Sequence, residues 1–372
     1  MKMICKIDKC TGCHACYAVC PVNCISMKED RFGFLRPEIE SEKCIDCKQC
    51  EAICPANNPL KKAYPVKTYA AITNDRDDYE TTTSGGVATL ISKECLGMNG
   101  VVYGAAFCTE NKKVCHIRVS DIEGLDQIKG SKYVQSELGD TYKNVKKDLS
   151  EGVYVVFIGT PCQVAGLKSF LKKDYEGLIC IDIVCHGVPS PKYLSQHLKK
   201  QKIDKIDSIS FREKDGFYLK CYSNENTVYR KTAFKDLYYL GFLRGLFYQE
   251  CCYSCNYASS ERTGDITLGD FWGFDRTKGE FPKKTDCGLS CVLLNTEKGM
   301  QFFNSCKDKM TFIQRETTEA VVGNKQLRHP SRKHRFHEAF LKLYLKKGFT
   351  YAAKRTLLID RIGYAILNLI QK

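Results

Sequence analysis

The sequence predicts an α+β chain in two parts, a small cysteine-stapled module followed by an α/β body with a mixed sheet, ending in a helical tail. Three observations carry this. Eight cysteines within the first 54 residues repeat one spacing twice. Strand-like and helix-like segments then alternate, as in α/β folds, and a run of short strands adds an antiparallel part. From about Thr311 the chain becomes basic and helical.

The first run is Cys10, Cys13, Cys16 and Cys20, followed by Pro21; the second is Cys44, Cys47, Cys50 and Cys54, followed by Pro55. Each reads C-x-x-C-x-x-C-x-x-x-C-P. Three thiolates two residues apart can wrap one iron–sulfur cube. The fourth, held off by a longer step and a stiff proline, reaches a neighbouring cube. The spacing therefore assigns Cys10, Cys13, Cys16 and Cys54 to one [4Fe-4S] cluster. Cys44, Cys47, Cys50 and Cys20 fall to the other. Structural zinc rarely uses this triple spacing. Residues 1–62 form this bacterial-type dicluster ferredoxin module, and the stretch from Asn57 to Lys62 reads as a linker.

A chain of 372 residues has room for two or three domains. No apolar signal segment precedes Cys5 and Cys10, and no apolar run is long enough to cross a bilayer. The expectation is a reducing cytoplasm without disulfides for the 23 cysteines. The formal charge of +14 counts cysteines as neutral. Each oxidised cube with four thiolates carries about −2, so three would leave roughly +8. Such a balance favours acidic partners and phosphate-bearing cofactors. No recognition motif for nucleic acid accompanies it.

In the body, Val66–Thr73, Val101–Phe107 and Val114–Val119 read as strands, and Ser84–Leu96 and Tyr142–Leu149 as helices. Val153–Ile158 and Leu178–Val184 are continuous apolar runs, typical of buried strands. Helices follow them at Gln163–Leu171 and from Ser190-Pro191 to Lys199, with serine as cap and proline in the first turn. Ile206–Phe211, Phe217–Tyr222 and Thr227–Lys231 read as a meander. Gly264 to Gly273 reads as strand, turn and an aromatic plug around Trp272. The last segment, Arg355 to Gln371, sets Leu358, Ile362, Ala365, Ile366, Leu369 and Ile370 along one broad face. Such a helix packs on the body or a partner, or lies on a membrane surface.

A second cysteine set is less regular. Cys162 sits at a strand-to-helix turn, where helix N–H groups favour a thiolate. Cys185 ends the next strand, on the same sheet edge. Cys252 and Cys255 form a C-x-x-C, with Cys251 beside them. These four could hold a third cube; alternatively they are buried structural cysteines, or Cys252 and Cys255 are a redox pair. Cys5 and Cys24 read as packing residues. Cys95, Cys108, Cys115, Cys180, Cys221, Cys287, Cys291 and Cys306 read as core. Ser84-Gly85-Gly86 at a helix start could set backbone N–H groups against a phosphate or a flavin edge. Gly130-Ser131-Lys132-Tyr133 is a similar short loop. His186 reads as a proton donor or a satisfied structural histidine.

Taken in order, the double cysteine run, Ser84-Gly85-Gly86-Val87, Gly130-Ser131-Lys132-Tyr133, Gly159-Thr160-Pro161-Cys162-Gln163, Cys185-His186-Gly187, Cys252-x-x-Cys255 and Gly264-Asp265-Ile266 with Gly269-Asp270-Phe271-Trp272-Gly273 resemble the coenzyme F420 hydrogenase/dehydrogenase beta-subunit family. The resemblance covers roughly residues 1–300. It implies an N-terminal α/β region over 63–150 and a C-terminal domain over 151–310 with a third cluster and a flavin site; residues 311–372, which match the family less clearly, read as a basic helical tail. It implies Cys162, Cys185, Cys252 and Cys255 as ligands of a third [4Fe-4S] cluster. Ser84, Gly85, Gly86, Gly130, Ser131, Tyr133, Thr160 and Gln163 become the expected contacts of FAD.

The resulting expectation is an iron–sulfur flavoprotein oxidoreductase. Cubes pass single electrons and most organic substrates take two, so a flavin belongs between them. Ferredoxin or another redox protein and a small organic substrate or coenzyme are the expected partners. The alternative is an electron-transfer subunit without its own substrate. A thiol redox protein using Cys252 and Cys255 is a third reading.

Overall fold

Strand formation follows the apolar runs closely. The computed structural model describes residues 2–203, 205–213, 216–275, 279, 281 and 287–370, the last six by backbone alone. The strands in chain order are β1 (Ile25–Glu29), β2 (Leu35–Ile39), β3 (Lys67–Thr73), β4 (Val101–Cys108), β5 (Lys113–Val119), β6 (Val155–Gly159), β7 (Leu178–Ile183), β8 (Ser208–Glu213), β9 (Gly216–Ser223), β10 (Asn226–Thr232), β11 (Ile266–Asp270), β12 (Ser290–Leu294) and β13 (Met310–Arg315).

The fold is mixed α/β. A large sheet runs β13-β3-β12-β11-β7-β6-β4-β5. Its centre is parallel: β11 with β7, β7 with β6 and β6 with β4. Antiparallel strands flank it on both sides. The parallel part arises because β6 feeds the helix Pro161–Leu171, which returns the chain to β7. That helix starts where it does because Thr160 and Gln163 form a capping box with Pro161 in the first turn. Cys162 is thereby fixed on the edge where the parallel strands end. Ser190 caps the helix Pro191–Lys200 by accepting from Lys192 N. The meander is a separate three-stranded sheet, β10-β9-β8.

Both faces of the large sheet are covered. Val102, Val156, Ile179, Ile181 and Phe303 share one apolar cluster, and Tyr103, Phe157, Val164 and Leu178 share another. A third cluster is aromatic. Tyr193 sits at its centre, with Phe247, Phe340, Tyr344 and Phe349 at 4.8–5.8 Å. Phe34 of the cysteine module meets Tyr193 edge-on at 6.0 Å, so the module is packed into the body. Polar contacts reinforce this seam: Leu35 N donates to Gln135 Oε1 (3.1 Å), and Gln249 Nε2 donates to the Cys10 carbonyl (2.9 Å).

The fold departs from the sequence reading in three places. The tail is not helical from Thr311: Met310–Arg315 is the edge strand β13, followed by the helices His337–Thr356 and Leu358–Ile370. Trp272 does not plug the core. It is 44% exposed, and Phe271 and Phe274 are the buried rings there. Cys108 and Cys115 are not core residues but a disulfide, against the expectation of none. The β4–β5 hairpin causes this, pairing Ala106 with Cys115 and Cys108 with Lys113. Cys5 and Cys24 pack in the small core of the cysteine module, as read, and also line the cysteine cavities described below. The side chains of Ala365, Ile366, Leu369 and Ile370, and all of Gln371, lie outside the described residues. Among the described residues no helix is long and apolar enough to cross a membrane.

His116 gives the fold a pH dependence. Its ring stacks on Phe157 at 5.4 Å, with Nε2 3.1 Å from the Ile158 carbonyl. Burial holds it neutral and lowers its pKa to about 4. An unfolded chain binds the proton near pH 6.5, so stability is present above that pH and falls as the solution is acidified toward 4. Unfolding measured at pH 7 and pH 5 is expected to show a loss of about 2 kcal/mol from this group. His116→Asn should lessen that loss; an unchanged pH dependence would contradict the assignment.

Candidate functional site

The two N-terminal cysteine runs adopt the same backbone. In the first, Gly12 (φ 67°) and His14 (φ 61°) flank Cys13; in the second, Asp46 and Lys48 (both φ 55°) flank Cys47. These left-handed residues turn the chain back on itself at each step, which lets successive thiols face one centre. At Gly12 only glycine fits, because a Cβ would lie 2.8 Å from the Leu35 carbonyl oxygen and 2.6 Å from the Gln135 amide nitrogen. The short helices Ala15–Val19 and Gln49–Ala52 follow, and carry the chain across to the other set.

Two cavities result. Cys10, Cys13, Cys16 and Cys54 line one, with Cys5 in its wall. Cys20, Cys44, Cys47 and Cys50 line the other, with Cys24 in its wall and its sulfur 3.4 Å from that of Cys20. Each run thus sends its fourth cysteine to the opposite cavity. The Cys5 thiol donates to Cys10 and, with Arg36 nearby, lowers the Cys10 pKa to about 6. The same thiol brings Cys54 to about 7. Burial acts the other way on Cys13, pushed up to about 12, and on Cys16. Four converging soft sulfur donors, which a bound cluster would hold as thiolates, suit iron–sulfur chemistry. Among the described residues no three His, Cys, Asp or Glu side chains converge tightly enough to hold a single metal ion. The cysteines stand around open space instead.

A third cavity, of about 80 Å³, lies between module and body. Cys162, Cys185, Cys252 and Cys255 line it together with Cys251. Lys9, Thr11, Pro55 and Ala56 form its wall on the module side, next in sequence to Cys10 and Cys54. The four cysteines come from three separate segments, and one buried network ties these together. Arg262 Nη2 donates to Asp182 Oδ1 (2.7 Å) and to the Ile183 carbonyl, on the strand leading to Cys185. Its Nη1 donates to the Tyr257 and Ser259 carbonyls (3.0 and 3.1 Å), just past Cys255. Thr263 Oγ1 donates to the Pro161 carbonyl (3.2 Å), beside Cys162. Desolvation pushes the Cys185 thiol up to about 12 and Cys162 well above its usual value. Such thiols ionise only when a cation takes the proton's place, which suits a metal cluster.

Beyond this cavity opens a larger cleft of about 280 Å³ at the ends of the parallel strands. It shares Thr160, Cys185, His186, Gly187 and Val188 with the third cysteine cavity. Ser84, Gly86, Gly130, Ser131, Tyr133, Thr160 and Gln163 line it. Gly85 does not. It lies behind the wall, where its N–H donates to Ser290 Oγ (2.9 Å) and a Cβ would meet the Ala71 carbonyl oxygen at 2.2 Å. Gln163 also has structural work, accepting from Thr160 N and donating to Ser136 Oγ.

The cleft offers donors for an anionic cofactor. Ser84 Oγ is buried and has no partner among the described residues, close to the N-terminus of the helix Val87–Gly97. Among the described residues Lys132 Nζ donates to carbonyls, those of Lys129 (2.7 Å) and Gln127 (3.2 Å), and desolvation lowers its pKa to about 7. His186 faces both cavities. Asp270, part of the glycine-flanked acidic motif, lines the cleft, whereas sequence reasoning missed His116, Ser136, Phe242 and Arg212 there. They come from separate strands and helices, so no motif spacing marks them. Arg262 and Asp182 were likewise silent, Asp182 a single charge inside an apolar strand and Arg262 one charge within a polar loop.

Two segments of the chain match known protein families. Residues 9–58 match the 4Fe-4S dicluster domain model. Residues 153–320 match that of the coenzyme F420 hydrogenase/dehydrogenase beta subunit, C terminus. No curated protein matches the chain. Among solved structures, a chain of the xenon-derivatized F420-reducing [NiFe] hydrogenase complex from Methanosarcina barkeri is 16% identical, with 73% of this chain and 97% of that chain covered and a TM-score of 0.48. The chain joins a 4Fe-4S dicluster domain to a C-terminal domain of the coenzyme F420 hydrogenase/dehydrogenase beta-subunit family.

Proposed function

We propose that this chain is an iron–sulfur flavoprotein oxidoreductase acting on a small organic substrate or coenzyme. Cys10, Cys13, Cys16 and Cys54 would hold one [4Fe-4S] cluster, and Cys20, Cys44, Cys47 and Cys50 a second. Cys162, Cys185, Cys252 and Cys255 would hold a third. FAD would occupy the cleft, with Ser84, Gly86 and the Gly130–Tyr133 loop against it. The clusters supply one-electron transfer, and the flavin supplies the exchange between one- and two-electron chemistry.

One observation carries the reading: the third cysteine cavity and the cleft share a wall, and the cavity's other side is the cysteine module. On this reading the four proposed sites would lie in a row. The outermost site is open to a partner, since Cys47 is exposed and Ile45 is 62% exposed beside it. A ferredoxin or another redox protein fits that end. The family description adds a deazaflavin coenzyme as one candidate substrate class for the other end.

Two variants test the assignment on protein purified without oxygen. Cys162→Ser is expected to lower iron from about twelve to about eight per chain while the module keeps its clusters. Unchanged iron would sink the third ligand set. Ala88 is exposed in the first turn of the Val87–Gly97 helix and lines the cleft. Ala88→Trp should fill it and cut bound flavin at least tenfold at constant iron; full flavin content would remove the cofactor from this cleft.

A further inference from the structure

The junction of the two C-terminal helices carries apolar side chains on both its inner and its outer face. Ala352, Ala353, Thr356 and Leu357 are buried against the body. One turn on, the acid of the final helix, Asp360, also faces inward, meeting Arg244 Nε at 3.1 Å and His334 Nε2 at 3.2 Å. Tyr364, four residues later, stacks on Phe234 at 4.6 Å. Leu357 (φ −97°, ψ 9°) breaks the two helices apart, and bonds from Leu357 N to the Ala353 carbonyl and from Arg361 N to the Leu357 carbonyl bridge the junction. The opposite face therefore carries Tyr351, Arg355, Leu358 and Ile362 in one stripe. Leu358, Ile359 and Ile362 are 48%, 53% and 51% exposed. A helix facing water alone would reverse this arrangement.

Charge selects what covers the face. Between Ala339 and Lys372 the sequence has seven Lys and Arg and a single acid, Asp360, which is paired inward. Lys354, Arg355 and Arg361 are exposed around the apolar stripe. In the sequence, Ile366 and Leu369 follow at the same helical spacing. Exposed aliphatic side chains framed by cations, with Tyr351 among them, are the composition of a helix lying in a lipid interface, its apolar face among acyl chains and its cations at headgroup phosphates. From this geometry we infer that the segment Tyr351–Ile362 docks the protein on an anionic membrane surface without spanning it. The inference is independent of the cofactor assignment.

The test is flotation of the whole, cluster-loaded protein with vesicles of phosphatidylcholine alone and of phosphatidylcholine with phosphatidylglycerol. Protein is expected in the lipid fraction only with phosphatidylglycerol, and high salt should weaken the binding. The double variant Leu358→Glu and Ile362→Glu should reduce recovery at least tenfold at unchanged iron content and elution volume. Absence of flotation with anionic vesicles would overturn the inference. So would full recovery of the double variant. A wild-type dimer that the same substitutions dissolve would assign the face to a second copy of the chain instead.

Discussion

The buried pair of Arg262 and Asp182 is the interaction on which the centre of this molecule depends. Both side chains are almost fully removed from solvent. Such a pair adds little stability over well-packed apolar residues, because desolvating two charges offsets their attraction. Its value here is positional. A guanidinium has five donors in a rigid fork. Arg262 spends them on Asp182, Thr267 and three backbone carbonyls. Asp182 in turn accepts from the N–H groups of Thr263 and Gly264. The strand end at Cys185, the loop after Cys255 and the turn at Cys162 are thereby fixed relative to one another. Four cysteines far apart in sequence become one cavity wall.

A second constraint is the seam between module and body. The Cys10 carbonyl accepts from Gln249 in the body and from Arg36 in the module. Tyr17 donates to Asp140 at 3.1 Å. These contacts hold the first cysteine cavity against the third, and the parallel strands hold the third against the cleft. The order of the sites follows from packing and needs no moving part.

Much of this was legible in the sequence where one short stretch of chain carries the signal. The C-x-x-C-x-x-C-x-x-x-C-P runs, the apolar strands Val155–Gly159 and Leu178–Ile183 and the Thr160-Pro161 helix start are local patterns, and the structure forms an element at each strand and helix among them. The sequence was silent where function needs distant residues to meet. Gly85 looked like a phosphate cradle, yet its small size serves the approach of Ser290 and Ala71. Cys108 and Cys115 became partners only through hairpin register. Met310–Arg315 looked like the start of a basic helix, but its place beside β3 makes it a strand. Arg212 and Asp270 meet across 58 residues at the cleft mouth.

The central claim is that three cysteine cages and one cleft form a single row of redox sites. The most direct measurement is iron per chain together with acid-released flavin, on unmodified protein purified without oxygen. About twelve irons with one flavin is the predicted result. About eight irons without flavin would contradict it, leaving the dicluster module as the only electron carrier and the later cysteines as structural.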